Sequence, residues 1–342
     1  MTSLTKLIDS RVNRRFRRLT LNTVITLYIL IMVGGVVRST GAGMGCPDWP
    51  KCFGSWIPPT EVSQLPLNYK EIYGAKLKGE VLFNPVKTWI EYVNRLFGAF
   101  TGIMIFLTLL ASVPYIKSNR KRLFGLSFLA FILVGFQGWL GSKVVSSELH
   151  PVMITLHMLL AIVIVFILIY LFILSSYSAE KDSKHILNQK SINVISFFVL
   201  FLSFIQIILG TQVRETMDVI IASLGYEARS EWISALGIPF YIHRSFSILV
   251  LVANIFWINR ISHSIEGDSR IKQMGKGCLA ILGLEIFTGI VMAYFGVPPF
   301  AQPVHLTLAI IMIGLQFMMW LLMNAEKFSW SKDIVKLRSG LV

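Results

Sequence analysis

The sequence predicts an all-α integral membrane protein, with eight transmembrane helices as two pseudo-repeated four-helix bundles and both termini cytoplasmic. Three observations carry this reading. Of 342 residues, 54% are hydrophobic and 15% charged, with a mean hydropathy of +0.67, which is too apolar for an ordinary soluble domain. Eight apolar runs approach the ~20 residues needed to cross ~30 Å of hydrocarbon. The chain also repeats its own motifs at a nearly constant offset.

The spans fall at about 19–37, 90–114, 123–144, 152–175, 192–212, 240–258, 277–296 and 304–324. They read as helices because lipid leaves no other partner for backbone N–H and C=O groups. The expected organisation is a basic cytoplasmic N-terminus (1–18), a first four-helix half (19–175) with an outer loop (38–88), and a cytoplasmic linker (176–191). A second four-helix half (192–324) and a cytoplasmic tail (325–342) follow. The N-terminal run RVNRRFRRLT and the apolar stretch after it resemble a signal peptide, but the run is long for one, and a retained first helix is expected.

A formal charge of +14 invites a nucleic-acid reading. The distribution argues against it: 21 of the 32 Lys and Arg fall in segments that are internal if the N-terminus is internal. Basic charge of this kind sets membrane topology.

The repeat is visible in paired motifs. Asn94-Arg95 on helix two matches His243-Arg244 on helix six, 149 residues on. His157-Met-Leu-Leu-Ala161 on helix four matches His305-Leu-Thr-Leu-Ala309 on helix eight, 148 residues on, and Gln137 with Gly141 matches Glu285 with Gly289 at that same offset. Gly34–Arg38 (GGVVR) matches Gly210–Arg214 (GTQVR) at 176, so the first outer loop carries about 27 extra residues. Four helices per half make the repeat parallel, about an axis along the membrane normal.

Of six histidines, His185 and His263 fall in cytoplasmic loops and His150 in a short outer loop. His157, His243 and His305 share one depth near the outer ends of their helices. Two imidazoles facing each other across an apolar bundle are what haem iron accepts as axial ligands. Taken singly, each is equally a hydrogen-bonded intramembrane polar residue. Arg38, Arg95, Arg214 and Arg244 recur at outer helix ends. They suit haem propionates, or they snorkel to the interface. Glu285 is a mid-membrane carboxyl group to which the sequence assigns no role.

The first outer loop reads Arg38-Ser-Thr-Gly-Ala-Gly-Met-Gly-Cys46-Pro-Asp-Trp-Pro-Lys-Cys52-Phe-Gly. Without a second cysteine pair, zinc is disfavoured; a disulfide or a redox-active dithiol fits an outer compartment. Cys278 reads as a small buried residue.

These stretches, GGVVRSTGAGMGCPDWPKCFG, WIEYVNRLFG, TLHMLLA, HRSFSILV and QPVHLTLA, together resemble the haem A synthase family across all eight helices. The resemblance implies oxidation of the C8 methyl of haem O to a formyl group by successive hydroxylations. It implies a haem b cofactor in the second half on His243 and His305, and substrate haem in the first half beside His157 and the Asn94 position. It implies an essential glutamate at Glu91 and a disulfide between Cys46 and Cys52. Haem O synthase and oxidase assembly factors are the implied partners, and a bacterial plasma membrane is favoured over a mitochondrial one. The electron donor is not identified. Many members carry histidine where this chain has Asn94, so the expectation here is His157 alone on the substrate iron, with Asn94 offering a hydrogen bond and Glu91 on the same helix face. A dihaem cytochrome passing electrons from quinol and a non-enzymatic haem carrier are the competing readings.

Overall fold

The computed structural model describes residues 3–74, 83–118, 120–176, 186–225, 227–265 and 269–325. Most of the expected tail, and His185, lie outside them. Eight long helices dominate: α1 (Ser3–Ser39), α2 (Pro85–Ser112), α3 (Lys121–Ser146), α4 (Pro151–Ser176), α5 (Gln189–Leu224), α6 (Ile238–Ser264), α7 (Ser269–Tyr294) and α8 (Ala301–Met323). All eight are long and apolar enough to cross a membrane. Large apolar side chains such as Phe197, Val252 and Phe287 are exposed on their outer faces, as a lipid-facing surface requires.

Each half closes a ring of four. In the first, α1 packs on α2 and α4, α2 on α3, and α3 on α4; in the second, α5 packs on α6 and α8, α6 on α7, and α7 on α8. The halves meet where α8 packs on α1 and α4. Phe166 of α4 stacks on Phe317 of α8 at 4.4 Å between centroids.

Several helices outrun the apolar spans that announce them. The expected start of α1 near residue 19 is passed because the polar turn before it has partners. Asn13 donates from Nδ2 to the Ser175 carbonyl at 2.9 Å, and Phe16 packs edge-on to Tyr115 at 5.4 Å. The expected end of α5 near residue 212 is passed because Met217 and Ile220 bury against Trp232, Leu236 and Val297. It stops instead at Gly225, whose φ of 78° favours a residue without Cβ. α2 starts where Asn84 accepts from the Lys87 N–H at 3.1 Å with Pro85 in the first turn.

The seam between halves depends on one close approach. A Cβ on Gly35 of α1 would lie 2.9 Å from both Cα and Cβ of Pro303 on α8, nearer than real side chains come. A Cβ on Gly98 of α2 would meet nothing within 4 Å. Gly35→Ala is therefore expected to cost about 1–3 kcal/mol through overpacking, whereas Gly98→Ala is expected to be neutral or slightly stabilising by helix propensity. Thermal unfolding of the two variants in detergent checks the contrast.

Candidate functional site: side chains seated on glycines

One contact recurs four times, between each odd helix and the even helix after it. Gly34 of α1 faces Asn94 of α2, Gly141 of α3 faces His157 of α4, Gly210 of α5 faces His243 of α6, and Gly289 of α7 faces His305 of α8. A Cβ on these glycines would lie 3.7 Å from Asn94 Oδ1, and 3.3, 3.2 and 3.6 Å from Cε1 of the three imidazoles in turn. At Gly141 and Gly210 the missing side chain lets the ring lie closer to the neighbouring backbone than a Cβ would comfortably allow; at Gly34 and Gly289 a Cβ would make an ordinary contact. The repeat seen in the sequence is thus a repeat of seats.

A second group stands one turn before each glycine. Gln137 donates from Nε2 to the His157 carbonyl at 2.8 Å, and Gln206 does the same to the His243 carbonyl at 3.1 Å. Glu285 has no N–H to give, and engages the ring instead: its Oε2 lies 3.2 Å from His305 Nδ1. On α1 the equivalent position is Leu30, and the residue seated opposite is Asn94 rather than histidine. Sequence comparison of the two halves paired Gln137 with Glu285 but missed Gln206 and Leu30. The Gln-x-x-x-Gly spacing of 206–210 was the signal that could have found the former.

The rings of His243 and His305 come together, with centroids 6.4 Å apart and planes at 71°. Two imidazoles on opposite sides of one metal, each bonded at about 2 Å, have centroids roughly 6 Å apart. The spacing of this pair is close to that value. Among the described residues no group of three or more His, Cys, Asp or Glu gathers into a metal cage; the second half brings two imidazoles together.

The loop between α1 and α2 is bolted to the start of α2. Cys46 and Cys52 form a disulfide. The Thr88 hydroxyl donates to the Gly45 carbonyl at 2.8 Å, and the Cys46 N–H donates to Glu91 Oε2 at 2.8 Å. Arg95 reaches the carbonyls of Asp48 at 2.7 Å, Lys51 at 2.9 Å and Cys46 at 3.1 Å, and pairs with Glu91 Oε1 at 2.5 Å. Residues 88, 91 and 95 share one helical face. Glu91, expected beside Asn94, is buried with both oxygens engaged by the loop and by Arg95. Its backbone partner lies 45 residues away, which no local pattern reveals. Within the loop, Asp48 accepts from the N–H groups of Phe53 at 2.6 Å and Gly54 at 2.8 Å. Burial, helped by the nearby Asp48 carboxylate, raises the pKa of the Tyr73 hydroxyl above its ordinary value.

The other arginines also find partners within the chain. Arg38 of α1 and Arg214 of α5 grip the two oxygens of Asp218, each at 2.8 Å, and Arg214 reaches Gln302 Oε1 at 2.6 Å. Arg244 lies over the rings of Phe240 and Tyr241 at 5.7 and 5.3 Å. Asp218 was not expected, since it belongs to the part of α5 beyond its apolar span.

Comparison with known proteins places the chain in a family. The COX15-CtaA family model, described as cytochrome oxidase assembly protein, matches residues 17–317. Heme A synthase of Orientia tsutsugamushi (strain Boryong) is 26% identical over 336 residues, covering 85% of this chain and 91% of its own. Heme A synthase of Bartonella bacilliformis is 24% identical over 340 residues, covering 90% of this chain and 92% of its own. That of Shewanella oneidensis is 26% identical over 180 residues, about half of each chain. With eight membrane-spanning helices, the seated histidines and a family match over nearly the whole chain, the protein belongs to the COX15-CtaA family of cytochrome oxidase assembly proteins.

Proposed function

We propose that this protein is a haem A synthase, an oxidoreductase that converts the C8 methyl of haem O to a formyl group by successive hydroxylations, the geminal diol losing water. The observation that carries the reading is the unequal pair of halves. One half brings two imidazoles to the spacing of a single iron, while the other seats His157 on Gly141 and, at the repeat position of His243, Asn94 on Gly34.

In this reading a resident haem b binds between His243 and His305, where it supplies electron-transfer chemistry. His157 holds the substrate iron from one side, and Asn94 offers its amide on the other. An amide is a poor iron ligand, so the substrate is held less tightly than the cofactor. Glu91 and Arg95 position the disulfide loop over the first half, and Glu91 is also the group placed to relay protons if the loop opens. Arg38, Arg95, Arg214 and Arg244 remain the candidate propionate contacts; of these, Arg244 has aromatic rather than carboxylate partners. The distribution of basic charge supports cytoplasmic termini and an outer disulfide loop, and the bacterial relatives support a bacterial plasma membrane. The supply of haem O and the delivery of haem A to a terminal oxidase imply haem O synthase and oxidase assembly factors as partners.

Expression with a source of haem O, followed by haem extraction and mass analysis, is expected to show hydroxymethyl and formyl products. Unchanged haem O would reject the synthase reading in favour of a cytochrome or a haem carrier. Asn94→His is expected to convert a high-spin substrate complex to low-spin in optical and electron-paramagnetic spectra, with slower turnover. A substrate haem that is already low-spin in the unmutated protein would overturn the single-histidine assignment. Glu91→Gln weakens the tie between α2 and the loop, and is expected to speed reduction of Cys46–Cys52 by a membrane-impermeant phosphine several-fold, a charge-assisted hydrogen bond being worth about 1 kcal/mol more than a neutral one; rates are read by thiol labelling.

A further inference from the structure

The three histidine seats differ at one ring nitrogen. Nδ1 of His157 and of His243 is buried with no hydrogen-bond partner among the described residues. Nδ1 of His305 has three oxygens around it: Thr288 Oγ1 at 2.9 Å, the Glu285 carbonyl at 3.1 Å and Glu285 Oε2 at 3.2 Å. The Thr288 hydroxyl has helix carbonyls to donate to, Glu285 at 2.9 Å and Leu284 at 3.0 Å, which leaves its lone pairs free to accept from the ring. A backbone carbonyl can only accept. The proton of neutral His305 therefore sits on Nδ1, and the lone pair is left on Nε2.

This arrangement is confined to α7. The positions one turn before the four seat glycines are Leu30, Gln137, Gln206 and Glu285, and those immediately before them are Val33, Leu140, Leu209 and Thr288. Only α7 combines an acid with a hydroxyl. The glutamines at the two matching positions spend their N–H on the carbonyl of the seated histidine, and their side-chain oxygens do not reach its ring, which Gln206 approaches through its backbone carbonyl alone. With leucine and valine at its two places, α1 can offer the Asn94 side chain neither contact.

We propose that Glu285 and Thr288 are positioning residues that fix the tautomer of His305 and make it the stronger of two unequal iron ligands in the second half. The inference rests on the haem-ligating reading of His243 and His305. An imidazole that gives its Nδ1–H to oxygen acceptors is a more basic ligand through Nε2, which favours ferric over ferrous iron and lowers the reduction potential. His243 has at most the Gln206 backbone carbonyl, with neither a carboxylate nor a hydroxyl beside its ring. The potential of the second-half haem is thus set mainly from the α7 side.

The test uses the full-length protein purified in detergent with its bound haem. Glu285→Gln places at α7 the amide already found at the two matching positions of this fold, so it is expected to fold. It should shift the midpoint potential of the low-spin haem to more positive values, and Thr288→Val should shift it the same way by less. The double variant should bind haem about 10- to 100-fold more weakly, the usual cost of losing such outer hydrogen bonds. Should Glu285→Gln fail to accumulate, Thr288→Val alone carries the measurement. An unchanged potential and an unchanged low-spin spectrum in the variants that fold would overturn the proposal while leaving haem ligation intact. A low-spin signal that survives in His305→Ala would overturn the ligand assignment, and the proposal with it. Product analysis with haem O is a separate measurement, so loss of the synthase reading is distinguishable from either result.

Discussion

Seating a polar side chain against the bare backbone of the preceding helix is the constraint that organises this fold. A glycine in a membrane helix lets a neighbour approach closely, and here the neighbour is an imidazole or an amide in all four cases. That contact fixes which helices pair, at what depth, and in which rotation about their axes. Gln137 and Gln206 then satisfy themselves on the carbonyl of the histidine they accompany, so an otherwise costly intramembrane amide becomes a second fastening of the same pair. The ring closure of each half follows from repeating this between α1 and α2, α3 and α4, α5 and α6, and α7 and α8.

The two halves use the shared frame differently. Deep in the second half, Gln316 donates to Ser203 Oγ at 3.0 Å and to Asn254 Oδ1 at 2.8 Å, all three being buried. The repeat-equivalent residues in the first half are Leu27, Ile105 and Leu168, also buried. At these three positions one half thus has a hydrogen-bonded cluster and the other apolar side chains. The disulfide loop belongs only to the first half. Asp218 holds Arg38 and Arg214, which are equivalent residues of the two halves, at one carboxylate. This ties the end of α1 to α5 on the side where α1 and α8 are brought together at Gly35 and Pro303.

Much of this was legible in the sequence, for definite reasons. Hydrocarbon thickness and backbone satisfaction leave few options for a chain this apolar, so the number of spans and their order follow from composition. His157, His243 and His305 stood out because polar residues in lipid are costly. Helix ends were less legible, because beyond the apolar span they are decided by tertiary contacts. Asn13 extends α1 by bonding to the end of α4, and Met217 extends α5 by packing on Trp232. The partners of Glu91 and Asp218 were invisible for the same reason. A carboxylate announces that it needs a donor, but not that the donor is the backbone of a loop 45 residues earlier or an arginine 180 residues earlier.

The crowding of polar residues at the start of α2 resolves into two separate tasks. Thr88, Glu91 and Arg95 follow one face and are consumed by the loop, whose carbonyls and N–H groups would otherwise lie unpaired against a helix end. Asn94 turns to α1 and is seated at Gly34. The loop therefore does not merely cover the first half. It supplies the polar partners that allow a glutamate and an arginine to stay buried there, while Asn94, whose Oδ1 is buried without a partner among the described residues, keeps an unspent acceptor in the first half. Burying an acceptor unpaired costs free energy, and the residue that bears the cost sits where the repeat elsewhere places His243.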